Sequence, residues 1–239
     1  MRRGVFILIF FMLIHSAKAY CTLQHVNTGL LTGISNCQDS LRENQILNNG
    51  RVWRNLYSMV RDNQFLFTGE PLPGTVSIKG QTFSNLSLKY DIYEDELLIP
   101  TVLGPLLQLN KEMVDSFSFF FQNKIYRFTN VPQDSLKDFN GYMNVLASGK
   151  ASLFIRYKKE IDNLAVDNKY DMFFQTHKIY VVKEGNVYIV ATKRDLFTIL
   201  DDRRDEIRSY IKKSRLRISK KYPENFIPVI KFYNSILHE

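Results

Sequence analysis

The sequence predicts an α+β fold: a mainly antiparallel, curved β-sheet with C-terminal helices packed on it. Two observations predict it. Between Gln64 and Ala191 the chain is a series of short runs of alternating apolar side chains, broken by turns rich in Gly and Asn. After Thr192 the apolar spacing switches to the helical period, and charged residues cover the other faces. No Pro/Gly/Ser-rich linker or block of charge divides residues 51–239, so one domain is expected there.

The elements follow in order. Residues 20–50 have no sustained period and many Asn, Thr, Gly and Ser, which marks an irregular N-terminal segment with room for one short helix from Ser40 to Leu47. In VWRNLYSMV, Trp53, Leu56, Tyr57 and Val60 occupy the i, i+3, i+4, i+7 positions of a helix face, though so short a run also suits a strand. Phe65-Leu66-Phe67 and Thr75–Ile78 come next, then a Lys79-Gly80 turn. In FSNLSLKYDIY, Leu86, Leu88, Tyr90 and Ile92 share one face of a strand, and Ser87, Lys89, Asp91 and Tyr93 share the other. Glu94-Asp95-Glu96 forms a polar tip before LLIP. SFSFFFQ sets Phe117, Phe119 and Phe121 opposite Phe120, and KIYRFT follows a tight turn at Asn123. HKIYVV and NVYIVAT flank Lys183-Glu184-Gly185, the clearest hairpin signal in the chain. Thr192 and Asp195 have the spacing of a capping box. Leu196, Ile199, Leu200, Ile207, Tyr210 and Ile211 then form the stripe of a helix expected to end near Lys213. A second helix is expected from Phe226 to Leu237, with Pro228 tolerated in its first turn.

The first nineteen residues read as an export signal rather than as part of the fold. MRRG supplies a basic start, VFILIFFMLI an apolar run, and Ala17-Lys18-Ala19 a small-x-small cleavage site, with cleavage after Ala19. The apolar run is too short to cross a bilayer as a helix, which takes about 20 residues. Tyr20 and the position of Cys21 do not suit a lipid-attachment signal. Losing the leader removes Arg2, Arg3 and Lys18 and lowers the net charge from +8 to +5, a mild excess that names no partner by itself. The cysteines, Cys21 and Cys37, are candidates for a disulfide in an oxidising compartment; two unpaired thiols is the alternative. Two thiols without a nearby His pair make no zinc site, and no metal ligand set is expected.

The remaining chemistry is sparse. Ser148-Gly149-Lys150 resembles the tail of a phosphate loop, but Asn144 and Ala151 stand where that loop needs Gly and Ser/Thr. Leu153, Ile155 and Tyr157 alternate with Ser152, Phe154 and Arg156, so a hairpin turn is expected and no nucleotide. His25, His177 and His238 belong to no nucleophile arrangement, and no Gly-x-Ser-x-Gly elbow is visible. Asp91, Glu94 and Glu96 are the carboxylates a hydrolase would draw on, although a solvated hairpin tip explains them more simply. Phe117, Phe119 and Phe121 would line an apolar pocket if the sheet enclosed one; a core between sheet and helices is the plainer reading. From Arg208 to Lys221 there are seven cations and no acid: Arg208, Lys212, Lys213, Arg215, Arg217, Lys220 and Lys221. Such a run can hold an anionic surface, or simply complement a helix C-terminus and keep the chain soluble.

The strings KYDIYEDELL, LNKEMVDSF, GYMNVLASGKASLFIRYKKEI and KIYVVKEGNVYIV resemble a family of exported proteins common in Bacteroidota, over about residues 50–239. The resemblance implies a Gram-negative envelope protein and carries over no catalytic or binding residue. The expectation is therefore an exported protein of the periplasm or cell envelope, a non-enzymatic binding or interaction module that needs no cofactor. Its expected partner is an envelope protein or surface component, with peripheral contact to anionic lipid, and not a nucleic acid. The alternative is a carrier of lipid or another apolar ligand.

Overall fold

A computed structural model of the chain describes residues 45–47, 49–101, 104–132 and 138–237. The leader, Cys21, Cys37, His25, His238 and most of the short helix expected from Ser40 lie outside the described residues.

Eleven strands make up the sheet: β1 (Gly50–Val52), β2 (Leu72–Ile78), β3 (Gln81–Asp91), β4 (Glu96–Pro100), β5 (Leu106–Leu109), β6 (Val114–Phe121), β7 (Lys124–Val131), β8 (Gly141–Ala147), β9 (Ala151–Val166), β10 (Tyr170–Lys183) and β11 (Asn186–Ile189). Their order is β1-β5-β4-β3-β2-β6-β7-β8-β9-β10-β11, and every pairing is antiparallel. Three of the hairpins turn on two residues that both have positive φ: Lys79-Gly80, Gln122-Asn123 and Glu184-Gly185. Such loops match the right-handed twist of the strands they join. Three short helices follow: α1 (Lys193–Ile199), α2 (Arg204–Lys213) and α3 (Phe226–Ile236). None of the described helices is long and apolar enough to cross a membrane.

The sheet bends back on itself. β9 stands five positions from β3 in the strand order, about 24 Å away in a flat sheet. Yet Lys159 of β9 donates its backbone N–H to the carbonyl of Ile92, just past β3, at 3.1 Å. Inside that curl Tyr90, Phe117, Phe119, Phe128 and Tyr142 pack ring on ring, with centroids 4.7–5.9 Å apart. Offset and edge-on ring pairs of this kind add about 0.5–1.5 kcal/mol each beyond simple burial. This core draws on β2–β8 and holds no residue of α1–α3, which corrects the expectation that the phenylalanines of β6 face the helices.

The helices cover the neighbouring part of the same face, and Tyr157 of β9 packs against both clusters. Ala147, Leu153, Ile155, Ile179 and Val181 lie on one face of β8–β10 and meet Leu196, Leu200, Ile207, Ile211, Val229 and Ile230 from above. Each Leu, Ile or Val among them, fully buried, stabilises the fold by about 1.5–3 kcal/mol. On the opposite face of the same strands Phe139, Met143 and Tyr180 form a smaller cluster, as strand alternation requires.

Two further expectations are corrected. The stretch expected to run as one helix from Thr192 to Lys213 is two, because Leu200 leaves helical geometry (φ −104, ψ 40) and a 3-10 turn spans Asp201–Arg203. The apolar stripe has no member between Leu200 and Ile207, so nothing buries a continuous helix there. Asp202 instead reaches the sheet, accepting from Lys183 at 2.6 Å and from the Tyr233 hydroxyl at 2.9 Å. VWRNLYSMV is not a helix either. Gly50–Val52 pairs with β5, and beyond it Asn55 accepts the amide of Tyr57 through its side chain at 3.0 Å. That local bond offers the backbone an alternative to the helix.

Candidate functional site

The basic run occupies the last turn and a half of α2 and the segment that follows it. Arg208, Lys212, Lys213, Arg215, Arg217, Lys220 and Lys221 are all exposed, and none has an acidic side chain within ion-pair distance among the described residues. The acids of α2, Asp205 and Glu206, sit in its first turn, where they suit the helix dipole and stay clear of the cations.

The backbone that carries these cations is tied down. Lys220 donates its N–H to Ala191 at 2.8 Å, and its carbonyl pairs with the His177 Nε2 at 2.8 Å. Asn225 donates its side-chain amide to the Arg217 carbonyl at 2.9 Å, and Thr192 and Ser219 form an isolated β-bridge. Aromatic rings hold some of the side chains: Arg217 and Lys221 flank Tyr222 at 5.3 and 5.9 Å, and Arg208 lies 5.7 Å from Phe197. Lys193 and Arg204 approach the same Phe197 ring at 5.2 and 5.9 Å, so they extend the face. The sequence reading missed these two. The signal for Arg204 was present, since Arg204, Arg208 and Lys212 recur every fourth residue along one helix face. His177, which begins no catalytic arrangement, serves as a tether for the Lys220 backbone.

The acidic tip is the β3–β4 hairpin turn expected of it, but of its three acids only Glu94 is exposed. Asp95 accepts from Lys111 at 2.5 Å and from the Tyr90 hydroxyl at 2.6 Å, part-buried against the aromatic core. Asp91, Glu94 and Glu96 line a pocket of about 320 Å³ together with Trp53, Tyr57 and Gln64. Glu96 pairs with Arg51 at 3.1 Å; burial raises its pKa and Arg51 draws it back down. Glu94 accepts a short hydrogen bond from the Tyr57 hydroxyl, and this bond raises the Tyr57 pKa and keeps the phenol protonated. Asp91 is fully buried: its Oδ1 accepts the amides of Tyr93 and Glu94 at 3.0 and 3.1 Å, and its Oδ2 has no hydrogen-bond partner. Burial pushes its carboxyl up to about 6, against the pull of those amides. Among the described residues no three His, Cys, Asp or Glu side chains come together as a metal site.

Residues 144–152 form the β8–β9 hairpin, and the loop opens a strand. The space inside it belongs to Asn234 of α3, whose Oδ1 accepts the Ala151 N–H at 2.8 Å and whose Nδ2 donates to the Ala151 carbonyl at 2.8 Å. A Cβ on Gly149 would stand 2.3 Å from that Nδ2, so the glycine is there to admit the asparagine. Phe117 and Phe119 are core side chains, and Phe121 stacks on Phe67 at 4.8 Å.

No protein-family description matches the chain, and neither a curated protein nor a solved structure matches it.

Proposed function

We propose that the protein is an exported cell-envelope binding module whose basic face docks against an anionic surface of phosphate-bearing lipid headgroups. Export rests on the leader sequence, with cleavage after Ala19, and the envelope setting on the resemblance to exported Bacteroidota proteins. The single observation that carries the docking reading is the set of seven exposed, unneutralised cations on a backbone anchored by Ala191, His177 and Asn225. A cation near an anionic bilayer gains about 1 kcal/mol, and salt screens that gain within about 10 Å. Several cations held on one anchored segment add their contributions without a new ordering cost for the backbone.

The test is co-sedimentation of the exported chain with vesicles. Phosphatidylglycerol-containing vesicles should retain the protein at low salt and release it at high salt, and phosphatidylcholine vesicles should not retain it. Reversing Lys212, Lys213, Arg215 and Arg217 to Glu should abolish retention with the circular dichroism spectrum unchanged. Equal retention by neutral and anionic vesicles would overturn the docking reading. The carrier alternative draws no support from the packing of Phe117 and Phe119, which are buried in the aromatic core, or of Phe121, which stacks on Phe67.

A further inference from the structure

We propose that the pocket beside β1, β3 and β4 binds a small organic cation, a primary ammonium or guanidinium group, with Asp91 as its anchoring acceptor. The pocket lies among residues other than the basic face, and its lining carries the opposite sign: Asp91, Glu94 and Glu96 against Arg51 and Arg54. Of the three carboxylates, Glu96 is neutralised by Arg51 and Glu94 is engaged by Tyr57. Asp91 is the one left over. Its Oδ2 is a buried acceptor with no hydrogen-bond partner, although the Gln64 side chain lies close enough to help stabilise the carboxylate, and buried polar atoms are ordinarily satisfied by something.

The chemistry of the lining selects among donors. A divalent metal needs several oxygen or nitrogen ligands converging on a point, and the described residues provide no such set. An ammonium or guanidinium group needs only one or two acceptors and carries the charge that an ionised, buried carboxylate lacks. Trp53 and Tyr57 add aromatic surface at the same pocket, which favours organic cations over neutral polar molecules. Burial holds Asp91 near 6, so at neutral pH it is the ionised form that needs a counter-charge. The charged groups that face it are Glu94 of the turn, Glu96 of β4 and Lys89 of β3, with Arg51 and Arg54 lining the pocket beside it.

Trp53 is the sole tryptophan in the chain and lines this pocket, so its fluorescence reports occupancy directly. The exported chain would be titrated with agmatine and with 1,4-diaminobutane, following Trp53 emission and, in parallel, the heat of binding. Saturable binding is expected at about pH 7.5. It should weaken about tenfold at about pH 5, where only about a tenth of Asp91 is ionised. It should be lost in Asp91→Asn and reduced in Glu94→Gln, and be unchanged when the basic face carries Lys212→Glu and Lys213→Glu. Should Asp91→Asn fail to fold, the pH comparison on the unaltered chain and the Glu94→Gln variant decide the matter. The proposal is overturned if neither amine binds, if binding is equal at the two pH values, or if N-acetylglucosamine, a neutral ligand, binds as tightly as the amines. None of these outcomes depends on whether vesicles are bound.

Discussion

Asp91 shows how one residue can serve the fold and work against it. Its Oδ1 closes the β3–β4 turn by accepting two backbone amides, while burial disfavours its charge. Below about pH 3 the carboxyl is neutral in both the folded and the unfolded chain and has almost no effect on stability. As the pH rises from its ordinary 3.8 to about 6, the unfolded chain releases the proton and the folded chain keeps it, so stability falls; above 6 the loss is complete, about 3 kcal/mol. Asparagine keeps the Oδ1 acceptor without the charge. Asp91→Asn is therefore expected to match the wild type at about pH 3 and to exceed it by about 3 kcal/mol at about pH 7.5, measured by urea unfolding at each pH. An unchanged difference across that range would show that Asp91 does not titrate as its surroundings demand. Asn234 is the opposite case, a buried polar side chain with its bonds made. Asn234→Ala strands the Ala151 N–H and carbonyl, and a loss of about 3 kcal/mol, roughly 6–12 °C in Tm, is expected in thermal unfolding.

At the scale of elements, local chemistry explains the hairpins and the start of α1, and tertiary contacts explain where α1 stops. The capping box before α1 is complete: the Asp195 N–H donates to Thr192 Oγ1 at 3.3 Å, and Asp195 Oδ2 accepts the amides of Ala191 and Thr192 at 2.9 Å. Those bonds, led by the one from Ala191, hold the Asp195 carboxyl below its usual range, so this cap contributes at neutral pH and is lost as acid protonates it. Thr192→Ala should lower stability by about 1 kcal/mol in denaturant unfolding at neutral pH. The Thr-x-x-Asp spacing and the Lys-Gly and Glu-Gly turns were legible in the sequence because each depends on residues two to four apart. The break at Leu200 was not. It depends on Asp202 meeting Lys183 of β10 and Tyr233 of α3, partners 19 and 31 residues away.

Across the whole described domain, charge is segregated by location. The cations of α2 and its trailing segment stand unpaired at the surface, while an excess of carboxylates lines the pocket beside β1 and β3. The two contacts proposed above, one with an anionic surface and one with a small cation, would differ in their salt and pH signatures. The basic face was readable as seven cations without an acid. The acidic pocket was only half readable: Asp91, Glu94 and Glu96 are close in sequence, but Trp53, Tyr57 and Gln64 join them only because the chain before β2 returns along β3 and β5, through the Ile92–Gln64 and Trp53–Leu106 backbone bonds.

The sequence by itself determined the strand runs, the turns between them, the two C-terminal apolar stripes and the composition of the basic run. Each of these is written in periods of two to four residues, the range over which backbone geometry converts order along the chain into a face. The curl of the sheet was decided only by the tertiary structure. So were the separation of the aromatic core from the helix-covered one, the division of the first helix, and the burial of Asp91. Those features rest on contacts such as Lys159 with Ile92 and Asn234 with Ala151, which join residues 67 and 83 positions apart. At such separations the sequence sets which side chains are available, and packing selects which of them meet.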